Sequence, residues 1–528
     1  MGMQVRKRFV LSVVLSLSAL FAVAQFGPAR AQDPDQSIWP TKEWLTSTPE
    51  EQGMDSAALA KLVAYGARNS FDSLLVVRHG RIVTEAYYAP YTGDISHNLF
   101  SSTKAITGTL LGMVYKDGLL DSLDHPVLDF FTDRQIANVD DRKKGITVQN
   151  LLDMTPGLDW DQGFEGGKQQ TMFDLARSSN WTQFILDRPM AHAPGEVFTY
   201  SNGNPDIVSA VITGLTGKPA EDYARERLLA PLGIVDWHWE RDPQGLSKGE
   251  GMLYLLPRDM AKIGYLYLRH GEWEGKQLLP SGWTDILSHR LVNVHASDDP
   301  NESYTNFIWV FPDRHAYMAN GKNGQLIMVF PELDAVVVTT ARKQVDYKVL
   351  INAVSSAARS DVALPSNQNA AAQLADVIKE AAVEKPTPVG PTPEIAAAIS
   401  GKTYKLSENA FGLKSFMLDL AQPRAHFDVE FSLHYPAGSS VRYSFPIGLD
   451  GLYRKGPPKL SDPAIGHIIE AKGTWLNAQT FVIDAPILGF GEQQKLVLTF
   501  SGRKLHFLRT VDVGEGEDVS VDGEQVAN

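Results

Sequence analysis

Three short stretches carry side chains that could act together on an acyl group: Ser101-Ser-Thr-Lys104, Tyr200-Ser-Asn202 and Lys322-Asn323-Gly324-Gln325. In the first, a hydroxyl precedes an amine by three residues. Such a pair lies on one face of a helix, so oxygen and nitrogen can meet at hydrogen-bond distance. From Ser102 onward Ile106, Leu110, Leu111 and Met113 recur with helical spacing, and small residues between them allow close packing. This predicts a buried helix with Ser101 at its N-terminal edge, where unpaired backbone N–H groups favour negative charge. A serine hydroxyl, an amine to take its proton and donors for an oxyanion are the parts of an acyl-transfer site.

Each stretch has a mimic elsewhere in the chain: Ser501-Gly-Arg-Lys504, Tyr304-Thr-Asn306 and Lys116-Asp-Gly118. Context separates them. Ser501–Lys504 lies between two strand-like runs and reads as a hairpin turn. Tyr200 and Asn202 follow the turn Ala193-Pro-Gly195 and precede an amphipathic run through Ile207, Val208, Val211 and Ile212, so they sit on a loop at a helix entrance. Lys322-Asn-Gly324 falls between the strand-like runs Ala316–Ala319 and Gln325–Phe330.

The elements that must position these groups are legible in order. Asp55 or Ser56 caps a helix to Ala67, and Ser73–Arg78 with Arg81–Ala86 form a hairpin about His79-Gly80. Helices are expected over Ile146–Leu152 and Arg258–Arg269, then strands over Phe307–Phe311, Ala316–Ala319, Gln325–Phe330 and Ala335–Thr340, and a last helix over Tyr347–Ala358. Helices flanked by strands from both ends of the segment imply an α+β domain on one antiparallel sheet. Residues 361–395 become Ala- and Pro-rich and read as an extended linker. Beyond 396, eight short strands separated by turn residues imply an all-β barrel or sandwich, residues 396–528, without evident chemistry.

The ordered triple in those contexts resembles the serine β-lactamase and penicillin-binding-protein superfamily, whose elements are Ser-x-x-Lys, Ser- or Tyr-x-Asn and Lys-Thr-Gly. Tyr200 in the second position points to the branch of class C β-lactamases, D-Ala-D-Ala carboxypeptidases, esterases and 6-aminohexanoate-dimer hydrolases. The resemblance spans about residues 45 to 358, and the tail resembles the lipocalin-like barrel of some members. It implies that Ser101 is a nucleophile forming an acyl-enzyme and that Lys104 and Tyr200 share its proton, either being the base. It also implies an oxyanion hole from the N–H groups of Ser101 and Gln325, and Asn202 holding Lys104 or the substrate. Lys322 would bind a substrate carboxylate, with Asn323 and Gly324 lining the site. Asn323 departs from the family's Thr, Ser or His. The implied activity is hydrolysis of an ester, amide or D-amino-acid peptide in a small-molecule or peptide substrate. A penicillin-recognising sensor that acylates and stalls is the alternative.

Composition narrows the setting. Arg6-Lys7-Arg8, the apolar run Phe9–Ala24 and Ala29-Arg-Ala31 form a secretory signal peptide over residues 1–31, leaving a mature domain from 32 to about 360. That segment holds four positive and no negative charges, so its removal takes the formal net charge from −13 to −17. An acidic chain has no electrostatic footprint for nucleic acid, and no stable membrane span is expected after cleavage. With no cysteine there is neither disulfide nor thiolate chemistry, which suits a bacterial periplasmic or secreted protein large enough to bury its own core. The thirteen histidines show no metal-binding spacing, and no metal or cofactor is expected. Trp181, Trp237 and Trp239 read as core or cleft wall. Trp160 and Glu250 are candidates to border the cleft.

Overall fold

Strand Phe71–Arg78 is buried along all 8 of its residues, because helices cover both faces of the sheet to which it belongs. Its side chains alternate between two cores. Leu74 and Val76 join Met328 and Val337 against Leu59 and Val63 of helix Ser56–Arg68 and Leu350 and Val354 of helix Tyr347–Ala357. Leu75 and Val77 face the other way, with Ile327, Val336 and Val338, toward Ile263 and Leu266 of helix Pro257–Leu268. That helix comes close because residue 264 is glycine; a Cβ there would lie 2.5 Å from Val336 Cγ1.

The structure, a computed structural model, describes residues 39–163, 167–294, 301–409, 412–432, 439–456, 468–491, 493–513 and 518–526. The expected signal peptide, residues 1–31, lies outside them. The first sheet has 9 described strands, ordered Leu45–Thr46, Arg81–Tyr87, Phe71–Arg78, Ala335–Ala341, Gln325–Phe330, Ala316–Gly321, Ile308–Phe311, Ser303–Thr305 and Val292–Asn293. All pairings are antiparallel except the first, which is parallel. Along the chain, helices Thr103–Lys116, Val148–Leu152 and Gly203–Thr216 come between the early strands of this sheet and the late ones.

Helix Thr103–Lys116 is buried on every side from Thr103 to Val114, as a helix at the centre of a large domain is. Its small residues are required by contact. A Cβ on Gly112 would lie 2.6 Å from Trp283 Cε2, and one on Gly108 would lie 3.1 Å from the Asn306 carbonyl oxygen.

Within the stretch expected to be a linker, Gln368–Ala381 is a helix capped by Asn367, and its Leu374 is buried in the same core as Leu59 and Leu350. The extended connection is therefore confined to about residues 382–394. Even there the chain is held: Thr387 N–H donates to Gly451 O at 3.0 Å and Gly390 N–H to Thr474 Oγ1 at 2.8 Å. Beyond it, 11 described strands form one curled antiparallel sheet around Phe416, Phe427, Phe481, Leu498 and Phe507. The expected barrel is not closed by strand pairing among the described residues: Ser440–Pro446 and Arg454–Lys455 are the two ends of the strand order. The strands Lys402–Leu406 and Lys504–Val513 were legible, whereas the last strand, Val519–Gln525, gave too weak an alternation.

Candidate active site

Ser101 lies in a single 3₁₀ turn, Phe100–Ser102, that feeds directly into helix Thr103–Lys116. The residue before it is strained. Phe100 has φ 44°, a left-handed conformation that costs an L-residue roughly 1–2 kcal/mol. Asn98 holds it there, its Oδ1 accepting from the Phe100 N–H at 2.9 Å. A backbone forced out of its ordinary well beside a hydroxyl is a common device for presenting a nucleophile.

Lys104 follows one helical turn later and is 1% exposed. Its Nζ donates to Ser101 Oγ at 2.9 Å, to Asn202 Oδ1 at 2.7 Å and to the Glu250 carbonyl at 2.9 Å. The latter two oxygens only accept, so they fix two N–H bonds of the amine. The third direction faces Oγ, which can accept from an ammonium or donate to a neutral amine. The arrangement thus accommodates both protonation states without moving a heavy atom.

The partners of Lys104 are themselves fixed. Asn202 stands at the N-terminus of helix Gly203–Thr216, and its N–H donates to Gln162 Oε1 at 2.9 Å. Gln162 Oε1 also accepts from Trp160 Nε1 at 2.8 Å, and the Trp160 ring packs so close to residue 203 that only glycine fits. The loop at Glu250 is held by buried Asp206, whose Oδ1 accepts from the N–H groups of Gly249 (2.9 Å) and Glu250 (3.3 Å). Thr107 Oγ1 donates to the Gly249 carbonyl at 2.8 Å. Burial, and after it the Glu250 carboxyl alongside, push the Asp206 carboxyl well above the usual carboxylate range, against the pull of the Lys104 charge.

Tyr200 presents its ring to Lys104, with Nζ 5.0 Å from the ring centroid. Trp309 stacks on that ring at 5.9 Å and Tyr304 meets it edge-on at 6.3 Å. Tyr304 is buried, and burial together with Tyr200 holds its phenol far above its ordinary value. The supposed mimic Tyr304-Thr-Asn306 is therefore a neighbour of the site, serving as the packing beneath Tyr200.

Lys322-Asn323-Gly324 forms a tight turn joining strands Ala316–Gly321 and Gln325–Phe330. Ser102 Oγ donates to the Gln325 carbonyl at 2.6 Å, which ties this turn to the one carrying Ser101. Asn323 has φ 63°, and Asn tolerates that region far better than a β-branched residue such as Thr. The departure from Lys-Thr-Gly thus has a backbone cause. Gly324, at φ 87°, is required because a Cβ would lie 2.2 Å from Val345 Cγ2. Asn323 and Gly324 are buried, but Lys322 is exposed.

A family model, Beta-lactamase, matches residues 51–354, more than half of the chain. The chain belongs to the beta-lactamase family. It is 23% identical over 286 residues to 6-aminohexanoate-dimer hydrolase of Paenarthrobacter ureafaciens, covering 51% of this chain and 71% of that protein. It is 26% identical over 174 residues to protein flp of Staphylococcus aureus strain MW2, covering 30% of this chain and 33% of that protein. Among solved structures, the octameric penicillin-binding protein homologue from Pyrococcus abyssi matches with a TM-score of 0.47 and 15% identity, over 89% of this chain and 100% of that one.

As a member of the beta-lactamase family the chain is a hydrolase of the serine β-lactamase and penicillin-binding-protein superfamily, and its expected α+β domain is the family's fold. The structure brings Ser101, Lys104, Tyr200 and Asn202 into one cluster and sets the Asn323–Gln325 turn against it. Lys322 sits at the exposed rim, and Lys104 Nζ donates to Ser101 Oγ, Asn202 Oδ1 and the Glu250 carbonyl. Trp160 borders the site through Gln162, while Trp239 is core, donating to the Lys248 carbonyl at 2.7 Å. Trp181 is partly buried under Lys248, 5.6 Å from its Nζ, and Trp237 is half-buried. Gln162, Asp206 and Trp309 had no signal in the sequence, because each acts through a partner more than thirty residues away. Among the described residues no group of three or more His, Asp or Glu could hold a metal ion, and no helix is long and apolar enough to cross a membrane.

Proposed function

We propose that this chain is an exported serine hydrolase that cleaves a small ester or amide through an acyl-enzyme on Ser101. The observation that carries the reading is Lys104 Nζ, buried 2.9 Å from Ser101 Oγ with its other two N–H bonds occupied by fixed acceptors. Ser101 Oγ attacks the substrate carbonyl carbon while its proton passes to Lys104 Nζ, and Tyr200, whose ring lies against that amine, shares the proton with it. The N–H groups of Ser101 and Gln325 receive the oxyanion. Collapse breaks the bond to the leaving group, which takes the proton from the Lys104–Tyr200 pair. Water then attacks the acyl ester with the same pair as base and restores Ser101 Oγ–H.

Exposed Lys322 at the rim suits a substrate carrying a carboxylate. The relation to a 6-aminohexanoate-dimer hydrolase supports short linear amides as one substrate class. The N-terminal pattern supports export, with the C-terminal lipocalin-like sheet travelling with the enzyme; N-terminal sequencing of the envelope fraction should begin at Gln32.

Purified protein should be labelled by a fluorescent penicillin or fluorophosphonate and should turn over p-nitrophenyl acetate many times per enzyme. Labelling with a single stoichiometric burst and no further product would replace the hydrolase with a stalled acylating sensor. Absence of both would remove the acyl-enzyme altogether.

A further inference from the structure

Nothing in the sequence of the C-terminal sheet points to chemistry, yet one of its turns reaches the segment that carries Ser101. Leu488 is 2% exposed and packs with Tyr91 and Ile95 of the hydrolase domain. Next to it, the Gly489 carbonyl accepts from the Asn98 N–H at 2.7 Å. Asn98 is the same residue whose side chain holds Phe100 in its left-handed conformation. Gly489, at φ 79°, approaches so closely that a Cβ would lie 2.0 Å from the Ser96 carbonyl oxygen.

Those contacts would be enough to dock one part of the chain on the other. The turn goes further. Gly491, at φ 78°, has its α-carbon beside the site: a Cβ there would lie 3.2 Å from Phe100 Cε2 and 3.9 Å from Asn323 Nδ2. Asn323 is 8% exposed, and its Nδ2 has no hydrogen-bond partner among the described residues. A buried amide N–H₂ left without an acceptor costs about 1–3 kcal/mol, so it persists where a ligand supplies the acceptor. The donor and the Phe100 ring, which belongs to the turn carrying Ser101, both lie within 4 Å of where a side chain at 491 would begin.

We propose that the turn Leu488–Gly491 of the C-terminal sheet is a wall of the substrate site. Asn323 Nδ2 donates to a carbonyl or carboxylate oxygen of the substrate, and the absence of a side chain at 491 sets how large the group beside that oxygen can be. The active site is then composite, and the C-terminal sheet is a specificity element of the hydrolase. This rests on the acyl-enzyme reading above. A docking-only turn would make residue 491 matter to stability and leave selectivity among substrates alone.

The test uses the full chain with p-nitrophenyl acetate, butyrate and octanoate, and alkyl fluorophosphonates of matching lengths. Because φ 78° strains most side chains at 491, Gly491→Asn, the residue type that best tolerates the left-handed region after glycine, accompanies Gly491→Ala, and melting curves confirm that each variant is folded. A methyl at 491 should lower kcat/KM for butyrate relative to acetate by about tenfold or more, the scale on which a pocket senses one methylene. The longer side chain of Gly491→Asn should lower the same ratio at least as far. Asn323→Ala should raise KM more than it lowers kcat for all three esters. Ratios of hydrolysis and of labelling within about twofold of wild type in both folded turn variants would overturn the proposal. Failure of the wild-type chain to be labelled at Ser101 would instead overturn the acyl-enzyme reading, and the wall with it.

Discussion

Asn202→Ala removes one acceptor from Lys104 Nζ and leaves the Ser101–Lys104 pair in place. The lost bond is 2.7 Å long and made to an amine that is 1% exposed, so no bulk water stands ready to replace it. As Ser101 gives up its proton, Nζ becomes an ammonium with three N–H bonds. Its fixed acceptors are then Asn202 Oδ1, the Glu250 carbonyl and the alkoxyl oxygen departing toward substrate. A hydrogen bond to a charged group contributes roughly 1.5–3 kcal/mol. Since each 1.36 kcal/mol is tenfold in rate, kcat should fall about 10- to 150-fold. Lys104→Ala removes the base itself and should cost more, on the order of 10²–10⁴-fold. The two losses act on one proton, so adding Asn202→Ala to Lys104→Ala should change little. The assay is kcat and KM on p-nitrophenyl acetate for the four proteins, with melting curves to show that each is folded. A wild-type kcat in Asn202→Ala, or full additivity in the double variant, would refute the assignment of Asn202 as the acceptor that stabilises protonated Lys104.

Three further outcomes follow from the geometry. Ala normally stabilises a helix interior relative to Gly by up to about 1 kcal/mol. At residue 112 the sign should reverse, because the new methyl would lie 2.6 Å from Trp283 Cε2; Gly112→Ala should lose roughly 1–3 kcal/mol in denaturant unfolding, and a stabilised variant would contradict the packing described. Burial, and then the Arg342 charge, hold buried His97 down to about 3, below its ordinary 6.5. Its stabilising contribution is therefore complete above pH 6.5 and is lost as pH falls toward 3. His97→Gln should flatten the acid limb of the melting-temperature profile across that window, and an unchanged slope would show that His97 does not titrate between the states. Lys322→Ala should lower kcat/KM for carboxylate-bearing substrates more than for neutral esters, since the exposed side chain offers charge at the rim; equal losses on both would remove it from substrate binding.

Much of the site was legible because its signals are local. Ser101 and Lys104 share one helical turn, and Tyr200 and Asn202 sit where a loop meets an apolar helix. Strands such as Gln325–Phe330 and Ala335–Ala341 declare themselves through unbroken β-rich runs. What escaped depends on the third dimension. The left-handed φ of Phe100 is imposed by Asn98 and by tertiary packing, and no residue preference announces it. Helix Gln368–Ala381 hid within an alanine-rich stretch, because so few large apolar residues mark its buried face. Lys322 proved exposed because the turn places its side chain outside while Asn323 takes the inner position. The reach of Gly491 to Phe100 joins residues almost four hundred apart, and only the fold brings them together.

The central claim is that Ser101 is the acylated nucleophile, poised by Lys104. The direct measurement is intact-mass and peptide mapping of the full chain after treatment with a fluorophosphonate, for wild type and Ser101→Ala side by side. The account predicts one adduct per wild-type chain, located on the peptide containing Ser101, and none on Ser101→Ala. Equal labelling of Ser101→Ala, or an adduct on another serine such as Ser501, would contradict it.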